Sequence, residues 1–121
     1  MGERWSGVLV HKDSQEPIGT AGLTRDTIPG EPGLELSWFV LTALQGQGFA
    51  TEISRALARL AFESLGAERV VAETHPDNLA AGRVLRKLGF TYLGERHHCY
   101  DYLPGFETQA LWALTRERPC S

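Results

Sequence analysis

A chain of 121 residues, 42% hydrophobic and 22% charged, is sized for one domain around one core. Its formal net charge of −3, without a long basic run, gives nucleic-acid binding no electrostatic support, and no apolar run approaches the roughly 20 residues that a membrane-spanning helix needs. The two cysteines, Cys99 and Cys120, form no CxxC pair and no secretory leader stands out, which points to a reducing, cytoplasmic setting.

In chain order, Trp5–His11 (WSGVLVH) is apolar and β-branched and reads as a strand. KDSQEP is turn chemistry, and Ile18–Arg25 (IGTAGLTR) completes an antiparallel hairpin. DTIPGEPG is a loop, and Leu34–Leu41 (LELSWFVL) is a third strand whose alternation puts Glu35, Ser37 and Phe39 on one face and Leu34, Leu36 and Trp38 on the other. Over Phe49–Leu65, residues Ile53, Ala56, Leu57, Leu60, Ala61 and Leu65 recur at helical spacing, with Gly66 as the stop. Arg69–His75 reads as a buried strand. Asp77 or Asn78 caps a second helix lined by Ala81, Val84, Leu85 and Leu88 and ended by Gly89. FTYLGERHHCY and FETQALWALTR are the last strands. The order β-β-β-α-β-α-β-β predicts an α/β fold: a mixed, mostly antiparallel sheet, a central parallel βαβ unit made by a right-handed crossover, and helices on both faces. No repeat or linker interrupts residues 1–121, so they form a single domain.

The stretch LTALQGQGFATE carries the chemistry. It joins a strand end to a helix start, where unpaired amides and the helix dipole favour an anion and glycine lets that anion approach the backbone. A Walker loop is excluded, because Phe49 follows Gly48 where Lys and Ser/Thr are required. A dinucleotide fingerprint fits Gly46 and Gly48, and Glu73 lies near the ribose-binding position, but Thr51 stands where the third glycine belongs. A plain loop with a capping glycine remains the simplest local account.

Gln45-Gly46-Gln47-Gly48-Phe49-Ala50 resembles the Q/R-x-x-G-x-G/A pyrophosphate loop of the GNAT superfamily of acyl-CoA-dependent N-acyltransferases. LELSWFVLTALQGQGFATE, with Glu35 and Ala50-Thr51-Glu52, is similar to the RimJ/RimL-like branch, and so is HPDNLAAGRVLRKLGF. Together these motifs cover Leu34–Phe90. The resemblance implies that acetyl-CoA is the cosubstrate and an amine the acceptor, with no metal. It also implies that the pantetheine arm lies as an added strand along Phe39, Val40 and Leu41, and that the Val40 amide polarises the thioester carbonyl. The diphosphate then rests on Gln45, Gly46, Gln47, Gly48, Phe49 and Ala50, with the Thr51 hydroxyl beside it. Asn78 contacts the pantetheine arm, alongside its duty as a helix cap. Arg83 and Lys87 serve the adenosine-side phosphates, although a solvated helix face accounts for them equally.

The acceptor amine must lose a proton, so a carboxylate is needed; Glu35, inside an apolar strand, is the first candidate and Glu73 the second. An exposed sheet position explains Glu35 as well. Three departures from the family stand out. Leu85 occupies the position of a thiolate-protonating Tyr, Ala81 replaces a frequent Ser, and the usual N-terminal strand and helices that wall the acceptor site are missing. The first two leave Tyr92, Tyr100 or Tyr102 as substitutes and keep open a non-catalytic acyl-CoA-binding or assembly module. The third implies an unusually open acceptor pocket, cover by another subunit or a shortened chain, and on this ground predicts a homodimer. His97, His98, Cys99 and Asp101 match no familiar zinc spacing. His75 reads as a turn residue, and Trp38 and Trp112 as sheet-packing residues.

Overall fold

The structure is a computed structural model that describes residues 4–26, 28, 30–97 and 108–116. Six strands form one sheet: β1 (Arg4–Val10), β2 (Pro17–Arg25), β3 (Leu34–Val40), β4 (Arg69–Thr74), β5 (Thr91–His97) and β6 (Thr108–Thr115). Helix α1 (Phe49–Glu63) lies between β3 and β4, and α2 (Leu79–Lys87) between β4 and β5. The spatial order is β1-β2-β3-β4-β6-β5. Every neighbouring pair is antiparallel except β3–β4, so the mixed sheet and its central parallel unit follow the expected pattern.

One part of the expected architecture is corrected. The helices do not lie on both faces of the sheet. Leu57 and Ala61 of α1 and Leu85 of α2 share one core with Ala21, Leu23, Leu34, Leu36, Val70, Ala72 and Trp112. The register puts those strand residues on one face, through the pairs Leu23↔Leu36, Leu34↔Val70 and Ala72↔Trp112. The reason is topological. The crossovers from β3 to β4 and from β4 to β5 step in the same direction along the sheet, and right-handed crossovers that advance in one direction place their helices on one side.

The buried stripe of α1 also differs from the predicted one. Its centre is Ser54, Leu57, Ala58 and Ala61, while Ala56 is exposed. A hydroxyl at the middle of the inner face hides the true axis from a reading based on apolar residues alone. Gly66 (φ 69°) and Gly89 (φ 92°) follow the two helices as expected, and Asn78 rather than Asp77 is the N-cap of α2, its Oδ1 accepting from the Ala81 amide at 3.1 Å.

The opposite face is covered at one end only. There Ile28 closes over Val71, Leu111 and Ala113. The β2–β3 connection is fastened by Glu31, which accepts from Arg69 at 2.8 Å and Arg96 at 3.4 Å. Across β1–β3 the same face carries Thr20, Gly22 and Ser37, with Val8 69% and Phe39 54% exposed.

Candidate active site at the split between two strands

β3 and β4 pair only at Leu34↔Val70 and Glu35↔Val71. Beyond that point β3 continues to Val40 along β2, and β4 continues to Thr74 along β6. The sheet therefore opens into a wedge between two strands, each still held by its outer neighbour. The backbone facing the wedge can be assigned by alternation. The Leu41 amide donates to the Ile18 carbonyl of β2 at 2.8 Å, so the polar groups of Val40 and Trp38 turn the other way, into the split. The Val40 carbonyl is already occupied by Gln45 Nε2 at 3.0 Å. Its amide points into the wedge.

The loop beyond β3 is shaped by its glycines. A short 3₁₀ turn over Thr42–Leu44 is followed by Gly46 (φ 83°) and Gly48 (φ 84°), both in the left-handed region that only glycine enters without cost. Gly48 is the N-cap of α1, with no side-chain cap bond. The first rung of the helix runs from the Glu52 amide to the Gly48 carbonyl at 3.1 Å. The amides of Phe49, Ala50 and Thr51 thus precede the ladder and carry the positive end of the helix dipole. A Cβ added at Gly46 or Gly48 would meet nothing within 4 Å.

The wedge and the loop open onto one groove of about 500 Å³. One wall is Phe39 and Val40, the floor is Gln45, Gly46, Gly48, Phe49, Ala50 and Thr51, and the far wall is α2 with Asn78, Arg83 and Lys87. Arg83 and Lys87 are one turn apart on the same side of α2. Leu41 and Gln47 stand off this wall, Leu41 because its amide turns back to β2. Trp38, Leu44, Ala80, Ala81 and Val84 also line the groove, although the sequence named none of them as a carrier-binding residue. Trp38 was legible in part, since strand alternation puts it on the helix-bearing face.

Glu35 and Glu73 both project from the face opposite the helices, each half-buried and each engaged by other groups. Glu35 marks the last parallel pair, at the base of the wedge. A strand rises about 3.3 Å per residue, so Glu35 is roughly 16 Å from Val40 along β3. Glu73 lies on the opened part of β4. His75 is a turn residue whose Nδ1 accepts from the Asp77 amide at 3.1 Å. Trp112 is 4% exposed and donates from Nε1 to Thr74 Oγ1 at 3.2 Å, and Tyr92 packs against it with ring centroids 5.2 Å apart. His98, Cys99, Tyr100, Asp101, Tyr102 and Cys120 lie outside the described residues.

The parallel pair thus parts after two rungs, with a glycine-turned helix N-terminus at the mouth of the opening. The family model described as "Acetyltransferase (GNAT) domain" matches residues 2–91. This chain belongs to the GNAT acetyltransferase family. Among curated relatives of this GNAT chain is the FsC-acetyl coenzyme A-N(2)-transacetylase of Aspergillus fumigatus, 38% identical over 74 residues, which are 60% of this chain and 32% of the relative. Another is the uncharacterised N-acetyltransferase YoaA of Bacillus subtilis, 30% identical over 118 residues, which are 97% of this chain and 64% of the relative. The ribosomal-protein-S5-alanine acetyltransferase of Vibrio fischeri superposes with a TM-score of 0.79 at 23% identity, over 93% of this chain and 61% of that one; at that identity the likeness speaks for the GNAT fold. The chain spans between about a third and two thirds of the length of these relatives. No helix among the described residues is long and apolar enough to cross a membrane.

Proposed function

We propose that this GNAT domain transfers an acetyl group from acetyl-CoA to a primary amine, directly and within one ternary complex. The observation that carries the reading is the wedge: unpaired strand edges open onto amides at the N-terminus of α1, in a groove that takes an extended thioester carrier with a diphosphate. The pantetheine arm pairs with the inward-facing backbone of Trp38 and Val40, supplying strand-like hydrogen bonds without a special side chain. The Val40 amide donates to the thioester oxygen as it gains charge. The diphosphate rests on the amides of Phe49, Ala50 and Thr51, with Arg83 and Lys87 beside it. The Asn78 carboxamide oxygen holds the helix, which leaves its nitrogen to donate into the groove.

Holding amine and thioester together supplies much of the rate. The amine nitrogen attacks the thioester carbon, the C–S bond breaks, and the amine gives up a proton. Glu35 receives that proton through water, because it is too far along β3 to touch an amine at Val40; Glu73, nearer the opening, is the second candidate. A solution thiol near pKa 8.5 leaves without a strong acid, which is consistent with Leu85 and Ala81 standing where relatives carry hydroxyls. The uncovered face of β1–β3, with Val8 and Phe39 exposed over a depression of about 560 Å³, supports a second copy of the chain as its cover; strictly monomeric light scattering at working concentration speaks against that part. The reducing cytoplasm remains the proposed setting.

Calorimetry with coenzyme A, followed by thiol release across a panel of amines, tests the reading. Binding with amine-dependent thiol release is expected, and Glu35→Gln or Glu73→Gln should lower the rate by about 10²-fold if that carboxylate is the base. Binding with no thiol release for any amine would establish the non-catalytic acyl-CoA-binding alternative instead.

A further inference from the structure

A second cavity, of about 330 Å³, lies on the other flank of α2, between that helix and strands β5 and β6. It meets the acyl-carrier groove at Asn78 and Arg83, which line both. Its floor is Trp112. Gly82 lets the helix come down onto that ring, since a Cβ there would sit 3.3 Å from Trp112 Cζ2. A glycine inside a helix costs about 1 kcal/mol relative to alanine, so its presence here has a packing reason.

The walls carry charge that the described chain leaves unneutralised. Arg83 and Arg86 are one turn apart on α2, and Glu95 faces them from β5. Among the described residues none of the three has an ion-pair partner; Arg86 instead lies over the Trp112 ring, 5.2 Å from its centroid. Apolar surface is uncovered in the same place, with Leu79 70% and Tyr92 46% exposed. The inner end of the cavity is Thr74, the last residue of β4 beside the wedge, and it offers a hydroxyl but no charge. Glu95 pairs with Ala110 and Ala110 with Thr74, so Glu95 and Thr74 are two strand spacings, about 10 Å, apart.

From this arrangement we propose that the cavity holds the acceptor, and that the acceptor is a diamino carboxylic acid. The inference rests on the acetyl-transfer reading above and adds the substrate class to it. The Arg86 guanidinium takes the carboxylate, with Arg83 shared between that carboxylate and the carrier's diphosphate at the boundary of the two cavities, Glu95 takes one ammonium, and Leu79 and Tyr92 cover the methylene chain. The second amine is left at the uncharged Thr74 end, next to the wedge, where losing its proton breaks no ion pair. That nitrogen forms the new bond to the acetyl carbon, the C–S bond breaks, the amine proton leaves to a carboxylate or water, and the carrier departs as the thiol. A cavity of this size is at the small end of the range for ligand sites, about 300–1,000 Å³.

The test uses the full chain with acetyl-CoA and three probes: L-lysine, 6-aminohexanoate (no second amine) and 1,5-diaminopentane (no carboxylate). Thiol release should give L-lysine a kcat/KM about tenfold or more above either comparator, because each lacks a group that the cavity pairs. Glu95→Gln should collapse the preference over 6-aminohexanoate. Arg86→Gln should collapse the preference over 1,5-diaminopentane, and Arg86→Lys should restore part of it. These ratios do not move if the two residues only support the fold. Turnover in which L-lysine is no better than both comparators overturns the proposal while leaving acetyl transfer standing. Absence of any calorimetric signal with coenzyme A is a different failure, that of the acyl-carrier reading itself.

Discussion

Replacing Gly48 with alanine separates the two things that glycine does at the mouth of the groove. At φ 84° an alanine pays about 1–2 kcal/mol for the left-handed backbone. No protein atom lies within 4 Å of the added Cβ, so there is no steric cost to add. For a domain of this size that corresponds to a fall in Tm of roughly 4–8 °C. Gly66 supplies the control. It has φ 69°, its Cβ would also meet nothing, and it follows the far end of α1, a 15-residue helix about 22 Å long. Gly66→Ala should lose similar stability. In calorimetry with coenzyme A, however, Gly48→Ala should weaken binding at least about tenfold, or 1.4 kcal/mol, because the methyl group would stand in the path of the proposed diphosphate to the amides. Gly66→Ala should bind as the parent chain does. Equal affinity in the two variants, both folded, would refute the assignment of the loop to an anion.

Three further outcomes follow from the geometry. Gly19→Ala puts a Cβ 1.8 Å from the Phe39 carbonyl oxygen, so the end of β3 must shift; a stability loss of about 1–3 kcal/mol in denaturant melts and weakened coenzyme A binding are expected together. Glu31 is held below its ordinary carboxylate pKa of 4.5, chiefly by the Arg69 hydrogen bond, and its ionised form therefore stabilises the fold. That stabilisation is complete above the ordinary value and fades as pH falls through the lowered one. Glu31→Gln should thus cost roughly 1–2 kcal/mol at pH 7, with Tm curves of parent and variant converging in acid; a gap that stays constant from pH 7 to pH 3 contradicts the ion-pair account. Asn78→Ala removes the cap bond to Ala81 and should lower stability by about 1 kcal/mol. Asn78→Asp keeps the cap but loses the carboxamide donor, so it should retain stability and lose coenzyme A affinity.

Much of this was legible in local sequence because it depends on local physics. Strand alternation put Glu35, Ser37 and Phe39 on one face, and the sequence put two glycines between β3 and α1, which the structure uses in the left-handed region, since both effects are settled within a few residues. The sequence by itself therefore determined the order of elements, the glycine-bearing link at Gly46–Gly48 and a cap for α2 at Asp77 or Asn78. The tertiary structure decided the rest. The sheet order β3-β4-β6-β5 made both crossovers advance the same way, and that moved the two helices to one face. Burial of Ser54, fully enclosed between helix and sheet, reset the inner axis of α1 against its apolar pattern. The parting of β3 from β4 after Glu35↔Val71, and the meeting of Arg86, Glu95 and Trp112 beside α2, join residues tens of positions apart. Such contacts exist only once the sheet has closed, because it is the shared core that brings distant segments within hydrogen-bonding and van der Waals range.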